Sequence, residues 1–235
     1  MESVTVKTIG GGVIVGYSGK ALGNTRASFG PTADANFAKF TAKFPGKTVY
    51  DMPAVGKDNI VKVDSLTPER LFQMEADALI TKSFSALLTL RAADCIPLVC
   101  YVPRQKILVL AHVGTSGAVL HLPAKVVNAL GYPPEQISCY FGPSISQKSY
   151  RLVDQDLSDK KLDASWNSYV TNEPDGIHIN LFGYVLDELK AAGILAENIE
   201  VENIDTGADA TYFSHRRHKL SGEPDGRNAF GACLK

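Results

Sequence analysis

The sequence predicts an α/β (α+β) fold: a single domain over residues 1–235, with a mixed β-sheet core and flanking helices. Three observations lead there. Apolar runs of strand length crowd the middle of the chain, between residues 77 and 113, as in a sheet buried on both faces. Segments with helical spacing separate some strands but not others, which favours a mixed sheet over a regularly wound parallel one. No repeat, low-complexity block or linker divides the chain, and 235 residues suit one large domain.

Taken in order, "GGGVIVGYSG" reads as a turn leading into a short strand. "DANFAKFTAKF" spaces Phe37, Phe40 and Phe44 at helical intervals and is closed by Pro45-Gly46. "NIVKVDS" alternates as a half-buried strand does, and "DALIT", "ALLTL", "IPLVCYV" and "KILVLAHV" follow as strands of the buried sheet. "AVLHLPAKVVNALG" has one continuous helical period, with Gly131 suited to the C-cap. "ISCYFG" is a strand closing on Gly142-Pro143. "INLFGYVLDELKAAG" is a helix with Asn180 as N-cap and Gly193 as stop. "TYFSHRR" and "RNAFGACL" read as the last two strands.

Composition narrows the function classes. Hydrophobic residues make up 45% and charged residues 21%, enough for a sizeable core. A formal net charge of −1 gives no electrostatic reason to expect nucleic acid or an anionic membrane as partner. The longest apolar stretch is broken by Pro103, Arg104 and Lys106, so no membrane span is expected. The amino terminus lacks the pattern of a secretory signal, and the four cysteines are sparse and irregularly spaced. These features predict a cytoplasmic protein acting on a small molecule, with its oligomeric state left open.

The chemistry-bearing stretch is "RAADCIPLVCYVPRQKILVLAHVGTSG", residues 91–117. Cys95 precedes one strand and His112 ends the next. A hairpin turning at Pro103-Arg104-Gln105 sets the two almost opposite each other, as a metal site or a nucleophile–base pair requires. The plainer alternative makes Cys95 a small buried hydrophobe and His112 a hydrogen-bonded core histidine. Cys100, Cys139 and Cys233 read as packing. Asp94 either orients Cys95 or His112 or caps a turn. Arg216 and Arg217 offer planar cationic forks for a phosphate, though alternation along a strand would aim only one of them at a site. Gly114 and Gly117 beside His112 suit a ligand pocket, and Gly142-Pro143-Ser144 either lines one or makes a simple turn.

Read in order, "DALIT", "LLTLRAADCIPLVCY", "KILVLAHVGTSG", "ISCYFGPSIS" and "YFSHRR…DGRNAF" resemble the laccase-domain family, the multicopper polyphenol oxidoreductase-like proteins. The motifs span residues 50–235. The resemblance implies a laccase-domain, cysteine-hydrolase-like fold and purine nucleoside phosphorylase chemistry: phosphorolysis of adenosine, inosine or methylthioadenosine, and adenosine deamination as a related activity. It also implies a zinc or copper ion held by a histidine of Gln-Val-His-Gly, the cysteine of Ala-Asp-Cys and the histidine of His-Ala-Gly-Trp-Arg-Gly. Cys95 and His112 occupy the last two positions. Gly56 stands at the first, Ala54 replaces the glutamine, and Thr115 and Ser116 replace tryptophan and arginine.

Two protein ligands bind zinc far less tightly than three. The resemblance therefore leaves three expectations: a nucleoside enzyme with zinc as its cofactor, with Cys95 and His112 as catalytic residues and Arg216, Arg217 and Gly114 lining the substrate site; a metal-free homologue acting as a binding protein or as a Cys–His hydrolase; and a copper-dependent phenol oxidoreductase. The last is the weakest, because five scattered histidines cannot build several copper sites.

Overall fold

A computed structural model of the chain describes residues 3–10, 12–152 and 162–235. Gly11, inside the predicted first turn, lies outside them. The strands in chain order are β1 (Val4–Ile9), β2 (Val13–Ser18), β3 (Thr48–Asp51), β4 (Ile60–Lys62), β5 (Ala78–Thr81), β6 (Ala86–Ala92), β7 (Ile96–Val102), β8 (Ile107–Val113), β9 (Ser138–Phe141), β10 (Arg151–Leu152), β11 (Val170–Glu173), β12 (Gly176–Ile179), β13 (Ile199–Val201) and β14 (Asn228–Leu234). The α-helices are α1 (Pro31–Thr41), α2 (Pro68–Phe72), α3 (Thr115–Val119), α4 (Leu122–Leu130), α5 (Leu181–Ala191) and α6 (His215–Ser221).

Two large mixed sheets pack face to face. One has five strands in the order β1-β2-β14-β6-β3, the other six in the order β13-β9-β7-β8-β5-β4. Between them lie Val13, Val15, Leu88, Leu90 and Phe230 of the first sheet and Leu79, Val99, Leu108 and Leu110 of the second. The opposite face of the six-stranded sheet, with Ile96, Leu98, Cys100, Val109 and Ala111, packs on Val126 and Leu130 of α4 and Val185 and Leu189 of α5. Phe40 of α1 and nearby Phe44 cover the outer face of the five-stranded sheet at Leu87, Ala229 and Cys233. The layers thus run helix, sheet, sheet, helix. Strands buried on both faces have no polar face to show, which is why "IPLVCYV" and "KILVLAHV" are nearly continuous apolar runs.

A small sheet, β10-β12-β11, flanks the helical side. There Trp166 stacks on Tyr184 with ring centroids 3.8 Å apart. Cys100, Cys139 and Cys233 are buried and free, as packing residues are.

Two elements differ from the expectation. "AVLHLPAKVVNALG" breaks into two helices, because His121 adopts a left-handed φ of 58° and the second helix begins at Leu122 with Pro123 in its first turn. The other difference touches the site. "SHRR" is the start of helix α6, where Ser214 is the N-cap and its hydroxyl accepts from the Arg217 amide at 3.1 Å.

Candidate active site at the mouth of the sheet sandwich

Residues 93–95 carry the chain from β6 in one large sheet to β7 in the other. Cys95 sits in that crossing. β7 and β8 form the predicted hairpin, but its register pairs Pro97 with His112 and Ile96 with Val113. Continued by one step, the register sets Cys95 against Gly114, so the thiol and the imidazole are diagonal neighbours on one face rather than direct partners. Gly114 is needed there: a Cβ at that position would meet the Cys95 sulfur at 2.9 Å.

Asp77, immediately before β5, organises the other side. Its carboxylate is fully buried. Oδ1 accepts from the amides of Val55 and Gly56 at 3.1 and 2.8 Å, and Oδ2 from the Lys57 amide at 2.9 Å. The same Oδ1 lies 3.6 Å from His112 Nδ1, an ion-pair contact longer than a hydrogen bond. Burial works against the imidazolium, yet Cys95 and Asp77 outweigh it and push the His112 pKa up to about 10. Burial likewise opposes the Asp77 carboxylate, but His112 and the Lys57 and Gly56 amides hold it below the usual range.

Asp94 makes no hydrogen bond to His112 or Cys95, and instead holds the start of α6. Its carboxylate accepts from Thr206 Oγ1 at 2.8 Å, Ser214 Oγ at 3.0 Å and the Arg216 amide at 2.7 Å. It therefore ties α6 to the crossing that carries Cys95. Arg216 is buried in the wall of the site, with its guanidinium carbon 5.4 Å from the Tyr150 ring centroid. Arg217 points elsewhere. Its guanidinium is taken up by the carbonyls of Thr206, Gly207, Asp209 and Tyr212 and by Glu223.

These elements enclose a cavity of about 180 Å³ whose lining includes Cys95, His112, Gly114, Tyr150, His215 and Arg216, together with Gly56 and Ser116. The geometry thus gathers Cys95, His112, Gly114 and Arg216, and leaves Arg217 out. Asp77, Tyr150 and His215 join the site without having been singled out for it by sequence. A carboxylate directly before an otherwise apolar strand is the one sequence signal for Asp77.

The donor set does not fit a three-ligand zinc centre. Gly56 brings no side chain, and the nearest atoms to a Cβ placed there belong to Ser116, at 3.8 and 4.0 Å. Among the described residues no group of three or more His, Cys, Asp and Glu is placed to hold a metal ion. Of the other histidines, three are engaged elsewhere: His121 with Glu188, His178 with Asp175 and the Gln147 carbonyl, and His218 with the Glu223 carbonyl; His215 lines the same cavity but forms no such group with Cys95 and His112. Nor is any helix of the described residues long and apolar enough to cross a membrane.

Comparison with known proteins agrees with this architecture. A purine nucleoside phosphorylase of Mycobacterium tuberculosis is 30% identical over 193 residues, covering 80% of this chain and 75% of that protein. An adenosine deaminase from an unknown prokaryotic organism is 30% identical over 148 residues, 60% of this chain and 56% of its own. The crystal structure of the Bacillus licheniformis protein YfiH shares the fold, with a TM-score of 0.80 over 95% of this chain and 93% of that one at 24% identity. The family described as multi-copper polyphenol oxidoreductase laccase matches residues 10–235, reaching well before the first motif read from sequence, and the chain belongs to that family.

Proposed function

We propose that the chain is a purine nucleoside phosphorylase-type enzyme whose own side chains, without a three-ligand zinc ion, carry the reaction. The observation that supports it most is the convergence of Cys95, His112 and buried Arg216 on one cavity. The relatives named purine nucleoside phosphorylase and adenosine deaminase supply the substrate class.

In this reading Arg216 holds the phosphate. A phosphate oxygen forms a bond to C1′ of the ribose as the C1′–N9 bond breaks, and the bonding pair leaves with the purine. The His112 imidazolium gives its proton to the departing base. Asp77 and Cys95 keep that proton on the ring beforehand, and solvent restores it afterwards. Gly114 lets the substrate side of β8 approach the sulfur closely. The products are the free base and ribose 1-phosphate. The substrate is a small molecule, and the free state of all four cysteines suits a reducing cytoplasm.

Purified protein assayed with adenosine, inosine and methylthioadenosine, with and without phosphate, tests this reading. Phosphate-dependent base release that Cys95→Ala or His112→Ala lowers by about 100-fold or more is expected for groups acting in the transition state. No release under any condition, from protein shown to be folded, overturns it. Ammonia release from adenosine would instead extend the chemistry to deamination.

Gly56 favours one second reading, a metal-free homologue that binds nucleosides without turning them over or uses Cys95 as a hydrolase nucleophile. Nucleoside binding without base release marks the first form. Rapid iodoacetamide labelling of Cys95 at neutral pH marks the second.

A further inference from the structure

The cavity wall holds a second histidine that this mechanism does not use. His215 is the first residue of α6 and lies next to Arg216. Its Nδ1 is shut off from solvent and has no hydrogen-bond partner among the described residues. A buried acceptor left over is tolerated better than a buried N–H left over, so the ring proton belongs on Nε2. Burial and the Arg227 guanidinium, with a smaller push from Arg216, lower the pKa of the ring below its ordinary 6.5 despite Asp225 and Asp94. His215 is therefore a neutral ring with a single N–H to give. Arg216, only 6% exposed, adds a fixed positive charge to the same wall. A fixed charge beside a neutral donor suits an oxyanion, which takes the charge from one side chain and a directed hydrogen bond from the other.

We propose that His215 is the second donor of an oxyanion subsite in this cavity, giving its Nε2–H to a phosphate oxygen while Arg216 supplies the charge. The inference rests on the phosphorolysis reading for the identity of the anion. It goes beyond it in assigning His215 a direct contact with the ligand. A nucleoside hydroxyl is the competing acceptor, and pure packing of the ring is the competing role.

The test measures binding of inorganic phosphate by equilibrium dialysis, with and without inosine present, to the parent protein, His215→Phe and His215→Gln. Phenylalanine keeps the ring and removes both nitrogens. Glutamine restores an N–H near the position of Nε2. The expected result is phosphate affinity weakened about tenfold or more by phenylalanine and largely recovered by glutamine, with nucleoside affinity changed by less than about threefold. Equal weakening by both variants would assign His215 to packing. Weakened nucleoside affinity alone would assign it to a hydroxyl. No phosphate binding by the parent would remove the subsite altogether, and each of these three outcomes overturns the proposal. Base release is read separately: a parent that binds phosphate in the predicted pattern yet cleaves no nucleoside would sink the enzymatic reading and leave the subsite standing.

Discussion

At Asp94 the backbone passes through a left-handed φ of 80°, unusual for a residue other than glycine. Such strain persists only where surrounding contacts hold it, and three donors converging on the carboxylate do so here. Asp94→Ala strips all three of their acceptor. It is expected to destabilise the protein by about 2–4 kcal/mol, read from urea unfolding, and to lower activity by loosening α6 against Cys95. Gly56 also has a positive φ, +74°. Gly56→His restores the family's third donor type at a cost of about 1–2 kcal/mol of backbone strain, a fall in Tm of about 2–8 °C. Zinc retained by this variant through gel filtration, and not by the parent, is the expected metal analysis. His112 supplies a pH dependence. Its folded pKa of about 10 lies above the ordinary 6.5, so the stability it brings is fully present below pH 6.5 and is lost as pH rises through about 10. Asp77→Asn removes one of the two groups that raise it, so the alkaline loss in Tm should move to lower pH.

At the scale of elements, the strands buried on both faces were legible because their composition allows no other placement. The strands outside these buried runs were not: β1, β3 and β10–β13 mix polar and apolar residues and owe their pairing to neighbours. α6 was misread for the same reason. "TYFSHRR" has a β-branched, aromatic start, but the Ser214 cap and the grip of Asp94 on the Arg216 amide decide in favour of a helix, and that grip comes from 122 residues away. The hairpin of β7 and β8 was legible to within its register. The register pairs Cys95 with the residue two positions beyond His112, which is why Gly114 rather than His112 faces the Cys95 sulfur. His178 pins β12 of the small sheet: Nε2 meets Asp175 at 2.9 Å and Nδ1 meets the Gln147 carbonyl at 3.0 Å. Both are acceptors, so only the protonated ring satisfies both. Burial lowers its pKa, but the Gln147 carbonyl and Asp175 carry it above 6.5, so this contribution too is present below pH 6.5 and fades as pH rises through the raised value. Hydrogen exchange in β10 and β12 should accelerate with pH beyond its intrinsic rise, and His178→Gln should abolish that excess.

For the whole molecule, the layer between the two large sheets is the structural capital on which the site stands. Leu110 is fully buried there, and Leu110→Ala should cost about 2–5 kcal/mol in urea unfolding. The crossing at residues 93–95, the end of β8 and the start of α6 belong to different parts of this frame, and only its closure brings them round one cavity. Sequence could therefore name Cys95, His112 and Arg216, whose residue types advertise chemistry. It could not name His215 or Tyr150, whose places follow from how α6 and β10 return to the mouth of the sandwich. In the proposed function this mouth turns over purine nucleosides through its own side chains. The most direct test is base release from inosine with phosphate, by protein treated with a chelator and shown to be zinc-free. The expected result is activity that survives chelation and falls about 100-fold or more in Cys95→Ala. Activity that vanishes on chelation and returns with zinc would contradict it.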